Sequence, residues 1–397
     1  MPDLAARFRE IFGGRDRVRV VRGPGRVNLI GEHTDYNGGF VMPMALDVAV
    51  RLAFVPHRES TVTLWSEQFA ERAEFTLGGE APADVPHWLR YPMKVAEVLA
   101  EAGIRLHGFQ GIVEGDVPVG SGLSSSAAYE VAAALALLVA AGPDLPAGPA
   151  EGVAKAHGLT TGRLALLCQS AEHRVGVRCG IMDQFISLHG RKGHAIVLDC
   201  RDLSYEAVPL PTDRARVVII DSGVRRKLTS GAYNERRGQC EEGAGRLRKF
   251  NPDIRGLRDV PPDLFRVHEA ALPQVVRRRC RHVITEIARV LESAEALQAG
   301  DLDRFGRLIN SSHDSLRDDY EVSGPELDLL VSIARGVGGV LGSRLTGAGF
   351  GGCTVTLARP EAVEPLRAAV LARYEKQTGL APRIWACEAA DAAAVEA

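Results

Sequence analysis

The sequence predicts an α+β chain of two domains, and three observations carry that reading. Its 397 residues exceed what one core usually organises, at roughly 150 residues per domain. The first half alternates short β-branched runs with two or three helical stretches. The second half is helical until a closing strand–helix–strand. The change falls near 200–220, and the domains are drawn at 1–205 and 206–397.

Residues 1–14, MPDLAARFREIFGG, have the spacing of an amphipathic helix. They carry charges throughout and lack the apolar segment of a secretory signal, so no leader is expected. VRVVR at 18–22 reads as a strand entering a glycine-rich turn at 23–25. Residues 40–55 read as buried strands broken at Pro43, and 61–77 as two alternating strands. A helix is expected over 86–102 from near Trp88, a strand over 108–114, and an alanine-rich helix over 124–141. The longest apolar run, 131–141, is too short to span a bilayer, and no membrane partner is expected. A Pro/Gly loop at 142–149 precedes a helix at 161–174, with Leu164, Leu167, Cys168, Ala171 and Val175 on one face. IMDQFISL and HAIVLDC read as two strands, and 215–221 as a third. Helices are expected over 230–249, 274–298, 301–315 and 325–335, with a loop at 253–268. A strand at 352–358, a helix at 360–376 and a last strand, PRIWACEA, close the chain.

Forty-eight basic against fifty acidic residues give a net charge of −2, which argues against a constitutive nucleic-acid partner. The densest basic run, Arg277, Arg278, Arg279 and Arg281, reads as a solvated helix face. Seven scattered cysteines, an odd number with no C-x-x-C pair, fit free thiols in a reducing, cytoplasmic compartment. The 42 glycines exceed the usual share of roughly 7%. No collagen period accounts for them, so they belong in turns or where backbone approaches a ligand closely.

The first glycine-framed stretch, 23–39, crowds Arg26, Asn28, Glu32, His33, Asp35, Tyr36 and Asn37 together. A surface turn fits it, and so does a site for many hydroxyls, since an ionised carboxylate accepts on both oxygens. A metal site of Glu32, His33 and Asp35 stays open beside these. The second, 118–137, follows Gly120 and Gly122 with three serines that open a helix. Free amides and the macrodipole there attract an anion, although the lysine of a P-loop is missing. A serine-capped helix is the plainer alternative. The third, 345–357, matches G-x-G-x-x-G at Gly347, Gly349 and Gly352, but a strand follows where a dinucleotide site needs a helix. Close backbone approach and an ordinary turn both remain. Asp183 lies among Ile181, Met182, Phe185 and Ile186, where a carboxylate is costly unless paired; a general base fits, and so does a solvent-facing strand position. Glu172, taken from spacing alone, reads as an exposed helix residue.

GRVNLIGEHTDYNGG resembles the galactokinase signature almost letter for letter. PVGSGLSSSAA resembles the phosphate loop of the wider GHMP small-molecule kinases, with Ser121 where alanine or glycine is common, and TGAGFGGC resembles their third motif. WLRYPMK, CGIMDQF, the stretch from Tyr233 to Cys240 and SHDSLRDDYEVS extend the likeness over essentially the whole chain. The resemblance implies a ribosomal-protein-S5-like N-terminal domain, a ferredoxin-like C-terminal domain and a site between them. It implies ATP- and Mg²⁺-dependent phosphorylation of the anomeric hydroxyl of α-D-galactose. Asp183 then matches the catalytic aspartate and Arg26 its partner. Glu32, His33, Asp35, Gly180, Asp183 and Tyr233 match the sugar-binding set. Gly120, Ser121, Gly122, Leu123, Ser124, Ser125 and Ser126 match the phosphate loop. Ser126 and Glu172 match the Mg²⁺ ligands, reversing the reading of Glu172 from spacing, and Trp88 matches an aromatic near the adenine. A monomer is expected. An N-acetylgalactosamine kinase and a catalytically silent sensor of galactose and ATP are the alternatives.

Overall fold

The computed structural model describes residues 4–80, 84–118, 120–225 and 230–397. Helix α1 (Leu4–Phe12) lays Leu4 and Phe8 against Ala53 and Ile112. Strand β1 (Arg19–Asn28) does not turn at Gly23–Gly25 as expected but runs on to Asn28, with a register shift between Pro24 and Arg26. Such a bulge re-aims the side chains beyond it. β2 (Phe40–Val41) and β3 (Pro43–Pro56) part at Met42, just before Pro43; β4 (Thr61–Ser66) and β5 (Glu71–Thr76) form a hairpin. Helix α2 (Arg90–Glu101), strand β6 (Phe109–Gly115) and helix α3 (Ser125–Ala141) follow. Then come β7 (Gly148–Pro149), α4 (Ala150–Ala156), α5 (Thr161–Val175), α6 (Met182–His189), β8 (His194–Asp199) and β9 (Tyr205–Pro209). Helix α3 is buried along nearly its whole length, as a helix apolar on every face must be. Glu130 is the one charged residue in it.

IMDQFISL is therefore helix α6, not a strand. Met182, Phe185 and Ile186 sit one helical turn apart and are all buried, a period that eight residues of mixed apolar type left ambiguous. The change turns Asp183 from a strand position into the first turn of a helix, where a carboxylate suits the macrodipole.

The second sheet begins with β10 (Arg216–Asp221), followed by helices α7 (Ser230–Leu247), α8 (Pro262–His268), α9 (Gln274–Gln298), α10 (Leu302–Asp318) and α11 (Pro325–Arg335). Strands β11 (Val340–Thr346) and β12 (Cys353–Ala358), helix α12 (Val363–Thr378), β13 (Arg383–Cys387) and β14 (Ala394–Val395) complete the chain. Strands β7, β9, β11 and β14 and helices α4 and α8 were not expected. β11 was hidden because VLGSRLT interrupts its apolar residues with Gly, Ser and Arg.

The four-stranded sheet has the order β11-β12-β10-β13, all antiparallel. Numbered by appearance that is 4-1-3-2 read from β13, with helices between its first and second and its third and fourth strands: the ferredoxin-like arrangement. The larger sheet has the order β5-β4-β6-β3-β1-β14-β7, and β2-β8-β9 form a third. Strand β14 thus leaves the second body and pairs with β1 of the first. The basic run on α9 is not a solvated face throughout. Arg279 is buried and bonds Gln239, the Asp319 carbonyl and Glu321, while Arg278 and Arg281 pair with Glu321 and with Glu269 and Asp319. All seven cysteines are free thiols, five of them buried. Among the described residues no helix is long and apolar enough to cross a membrane.

Candidate functional site

The end of β1, the loop after it, the loop before α3, helices α5, α6 and α7 and the loop after β11 converge on a cavity of about 350 Å³. At its centre Arg26 grips Asp183 as a fork: Nε donates to Oδ1 at 2.8 Å and Nη2 to Oδ2 at 2.7 Å. Such bidentate pairs fix geometry as well as charge. Nη1 donates to the carbonyl of Gly122, and the Ser124 hydroxyl donates to Asp183 Oδ2. Burial works against the Arg26 charge, but Asp183 and Glu32 outweigh it and hold the guanidinium above its ordinary pKa.

The phosphate-loop stretch turns through Gly120 and Gly122, both in the left-handed region (φ 72° and 87°). Ser124 is also left-handed, at φ 59°, an uncommon and strained conformation for a residue with a side chain. No side chain caps the start of α3. The serine cap of the plainer alternative is absent because the Ser124 hydroxyl goes to Asp183, and the first amides of α3 remain available to an anion. Ser126 Oγ donates to Glu172 Oε1 at 2.9 Å. Glu172 is buried, not exposed as its spacing suggested; burial and then Asp183 push its carboxyl up.

In the first motif the three acid–base side chains have separate surroundings. Glu32 Oε1 accepts from Arg344 Nη2 at 2.6 Å, Thr346 Oγ1 at 3.1 Å and the Gly347 amide at 2.7 Å. Glu32 and Arg344 are 3% and 0% exposed, and their ion pair joins the first sheet's loop to β11 of the second. The His33 Nε2 donates to the Ala348 carbonyl at 3.2 Å, which leaves Nδ1 to accept from the Tyr36 hydroxyl at 2.8 Å. Tyr36 bonds in turn to Tyr320, and Tyr320 to Cys240. With Glu32 and His33 engaged in this way, the three residues make no metal centre; among the described residues no cluster of three or more His, Cys, Asp or Glu could hold an ion. Asp35 accepts the Tyr36 amide and lies against Gly180, where a Cβ would meet its Oδ2 at 1.7 Å. Burial, then Asp183, push its carboxyl up to about 7. Tyr233 on α7 closes the wall, its ring centroid 5.6 Å from His33 and 5.3 Å from Tyr36.

A second cavity of about 490 Å³ is lined by Val50, Phe69, Trp88, Val113 and Tyr129, and it shares Tyr91, Ser125 and Ser126 with the first. Its apolar walls suit a flat ring, and Trp88 is held there by its Nε1 bond to Glu71 at 2.8 Å. The start of α3 therefore lies between a polar cavity and an apolar one. The third glycine stretch supplies Gly347 and Ala348 to the polar cavity, and strand β12 follows it where a dinucleotide site would need a helix.

Residues 6–56 match the galactokinase galactose-binding signature, 90–191 the N-terminal domain of GHMP kinases and 293–376 their C-terminal domain. A galactokinase of Roseiflexus sp. (strain RS-1) is 44% identical over 390 residues, 98% of this chain and 95% of that protein. The chain belongs to the galactokinase family. A galactokinase of Chloroflexus aurantiacus is 45% identical over 377 residues, 95% of this chain and 93% of its own. The crystal structure of Lactococcus lactis galactokinase complexed with galactose superposes with a TM-score of 0.90 at 34% identity, covering 98% of both chains. Methanococcus jannaschii mevalonate kinase, at 19% identity and a TM-score of 0.62 over 95% of this chain and 100% of its own, shares the GHMP fold.

Every site residue expected from the sequence lines one of the two cavities except Ser121 and Leu123, which lie within the loop; Ser121 Oγ bonds the Pro118 carbonyl. The sequence did not reveal Ser124 as a partner of Asp183 or Arg344 as a partner of Glu32. Arg344 had little signal, because it follows Gly342 and Ser343 in a stretch that does not read as a strand. Ser124 had none, because its bond follows from a left-handed backbone.

Proposed function

We propose that the chain transfers the γ-phosphoryl group of ATP to the anomeric hydroxyl of α-D-galactose, releasing galactose 1-phosphate and ADP. The observation that carries it is the Arg26–Asp183 fork, set between the hydroxyl-rich cavity and the uncapped start of α3. Asp183 accepts the hydroxyl proton as the sugar oxygen bonds to phosphorus and the bond to the β-phosphate breaks. Arg26 and Ser124 hold the carboxylate in place by their hydrogen bonds, with its oxygens fixed to receive the proton. The free amides at the start of α3 bind the β- and γ-phosphates, and Trp88 lies beside the adenine. Asp35, Tyr233, His33 and the unengaged oxygen of Glu32 position the sugar, with Gly180 giving Asp35 its room. Positioning and charge stabilisation supply most of the acceleration.

Ser126 Oγ and Glu172 Oε1 are hard oxygen donors, and one carboxylate completed by phosphate oxygens is the usual manner of Mg²⁺ binding. When bound, the ion neutralises charge on the transferring phosphoryl group. It also favours the ionised form of Glu172, against the upward push of burial. Free thiols throughout fit work in the reducing cytoplasm.

An ADP-release assay with galactose, glucose and N-acetylgalactosamine tests the reading. Turnover with galactose is expected. Turnover with N-acetylgalactosamine alone marks a neighbouring sugar kinase, and sugar and ATP binding without ADP marks a sensor.

A further inference from the structure

Glu130 is a buried carboxyl that lines neither cavity. It sits on α3, four residues after Ser126, and both it and Gln184 are 0% exposed. An amide nitrogen has two hydrogens, and Gln184 commits Nε2 to two carboxylates. It donates to Glu130 Oε2 at 2.9 Å and to Glu172 Oε2 at 2.6 Å. The Cys179 thiol lies 3.1 Å from the same Glu172 oxygen. Glu172 is thereby held from behind through Oε2 while Oε1 meets Ser126.

We propose that Glu130 is a positioning residue which, through the Gln184 amide, fixes Glu172 for the divalent cation. The proposal rests on the reading of Ser126 and Glu172 as the cation's ligands. The end of the amide that faces Glu172 is its nitrogen. With Glu130 accepting one hydrogen, the nitrogen must lie between the two carboxyls, and the carbonyl end points away. Among the described residues that carbonyl oxygen and Glu130 Oε1 have no hydrogen-bond partner. The amide's orientation is therefore set by the two carboxylates on its nitrogen side. Without Glu130 the amide is free to turn its oxygen toward Glu172, repelling the carboxylate and loosening it. Outer partners of metal-binding carboxylates act in this way, orienting the group that touches the ion. Burial and the charge of Glu172 push the Glu130 carboxyl well up, so an uncharged amide of the same shape fits its place. Gln184 adjoins Asp183 on α6, so one helical turn holds both the base and the cation's carboxylate in register.

The test measures Mn²⁺ binding by electron paramagnetic resonance in the full chain with galactose and a non-hydrolysable ATP analogue. Glu130→Met and Gln184→Met are each expected to weaken Mn²⁺ about ten- to a hundredfold. Glu130→Gln restores tight binding, and excess Mg²⁺ recovers most of the ADP release lost in Glu130→Met. Galactose binding by calorimetry stays as in the parent protein. If Glu130→Met fails to fold, Gln184→Met removes the bond to Glu130 together with the one to Glu172 and decides whether the amide link positions the carboxylate. Parent-like Mn²⁺ affinity in the methionine variants, alongside weakened affinity in Glu172→Gln, overturns the positioning role and leaves the ligand reading standing. Parent-like affinity in Glu172→Gln overturns the ligand reading and the proposal with it. Loss of galactose binding together with Mn²⁺ shows a purely structural role for Glu130 and also overturns it.

Discussion

Gly180→Ala adds one carbon and should empty the sugar site of a carboxylate. The new Cβ would stand 1.7 Å from Asp35 Oδ2 and 2.0 Å from its Cγ, where real Cβ atoms keep at least 3.0 Å. The backbone at Gly180 is not left-handed, so the alanine itself is tolerated and Asp35 has to move. A displacement of that order takes the carboxylate out of hydrogen-bond range of a sugar hydroxyl. A hydrogen bond to a charged group contributes roughly 1.5–3 kcal/mol, and a misplacement near 1 Å costs about a hundredfold in rate. We expect kcat/KM for galactose to fall about a hundredfold, with ATP protection against thermal unfolding retained. ADP release against galactose concentration and galactose calorimetry give the numbers. The cause is isolated by a double-mutant cycle: with Asp35→Ala in place there is no carboxylate to displace, and Gly180→Ala should add almost nothing. Additive losses, or parent-like galactose affinity in Gly180→Ala, would refute the reasoning.

Asp183→Asn should lower turnover by about 10²–10⁴ while galactose and ATP still bind by calorimetry; parent-like turnover sinks the base assignment. Glu32→Ala strands Arg344 in a fully buried place and should lower stability by about 3–5 kcal/mol in urea unfolding, with a loss within roughly 1 kcal/mol contradicting the bridge between the sheets. Asp35 has a folded pKa raised to about 7 from 3.8. The folded state then binds the extra proton between those values, so this group's contribution to stability falls as pH rises through that window. Melting temperatures of Asp35→Asn should gain on the parent from pH 4 to 7 and hold that gain above it; a constant difference across the window contradicts the shift.

Composition and motif order made the two-body α+β plan legible, because the three glycine loops and the strand-rich first half stand out locally. What stayed hidden depended on long-range partners. IMDQFISL fits a strand or a helix until its packing against β1 and α5 decides, and β11 passes for a loop until Arg344 finds Glu32. Glu172 looked exposed because helical spacing cannot see Ser126 and Gln184, which arrive from α3 and α6. Glu130, by contrast, was visible as the one charge in a helix otherwise apolar on all sides.

The return of the chain to its first sheet adds a link between the two bodies. The backbone crosses between the two bodies once after β9 and again after β13. The second crossing is laced down: the amides of Ala390, Ala392 and Ala393 bond the carbonyls of Ala45, Gly190 and Ser187. Two bodies on a single tether can swing apart in any direction. Here the second crossing, the buried Glu32–Arg344 pair and a core that continues from the first sheet into β10 and β12 hold the two bodies together. A protease cut between 388 and 393 would sever one of these three links while leaving every site residue in the chain.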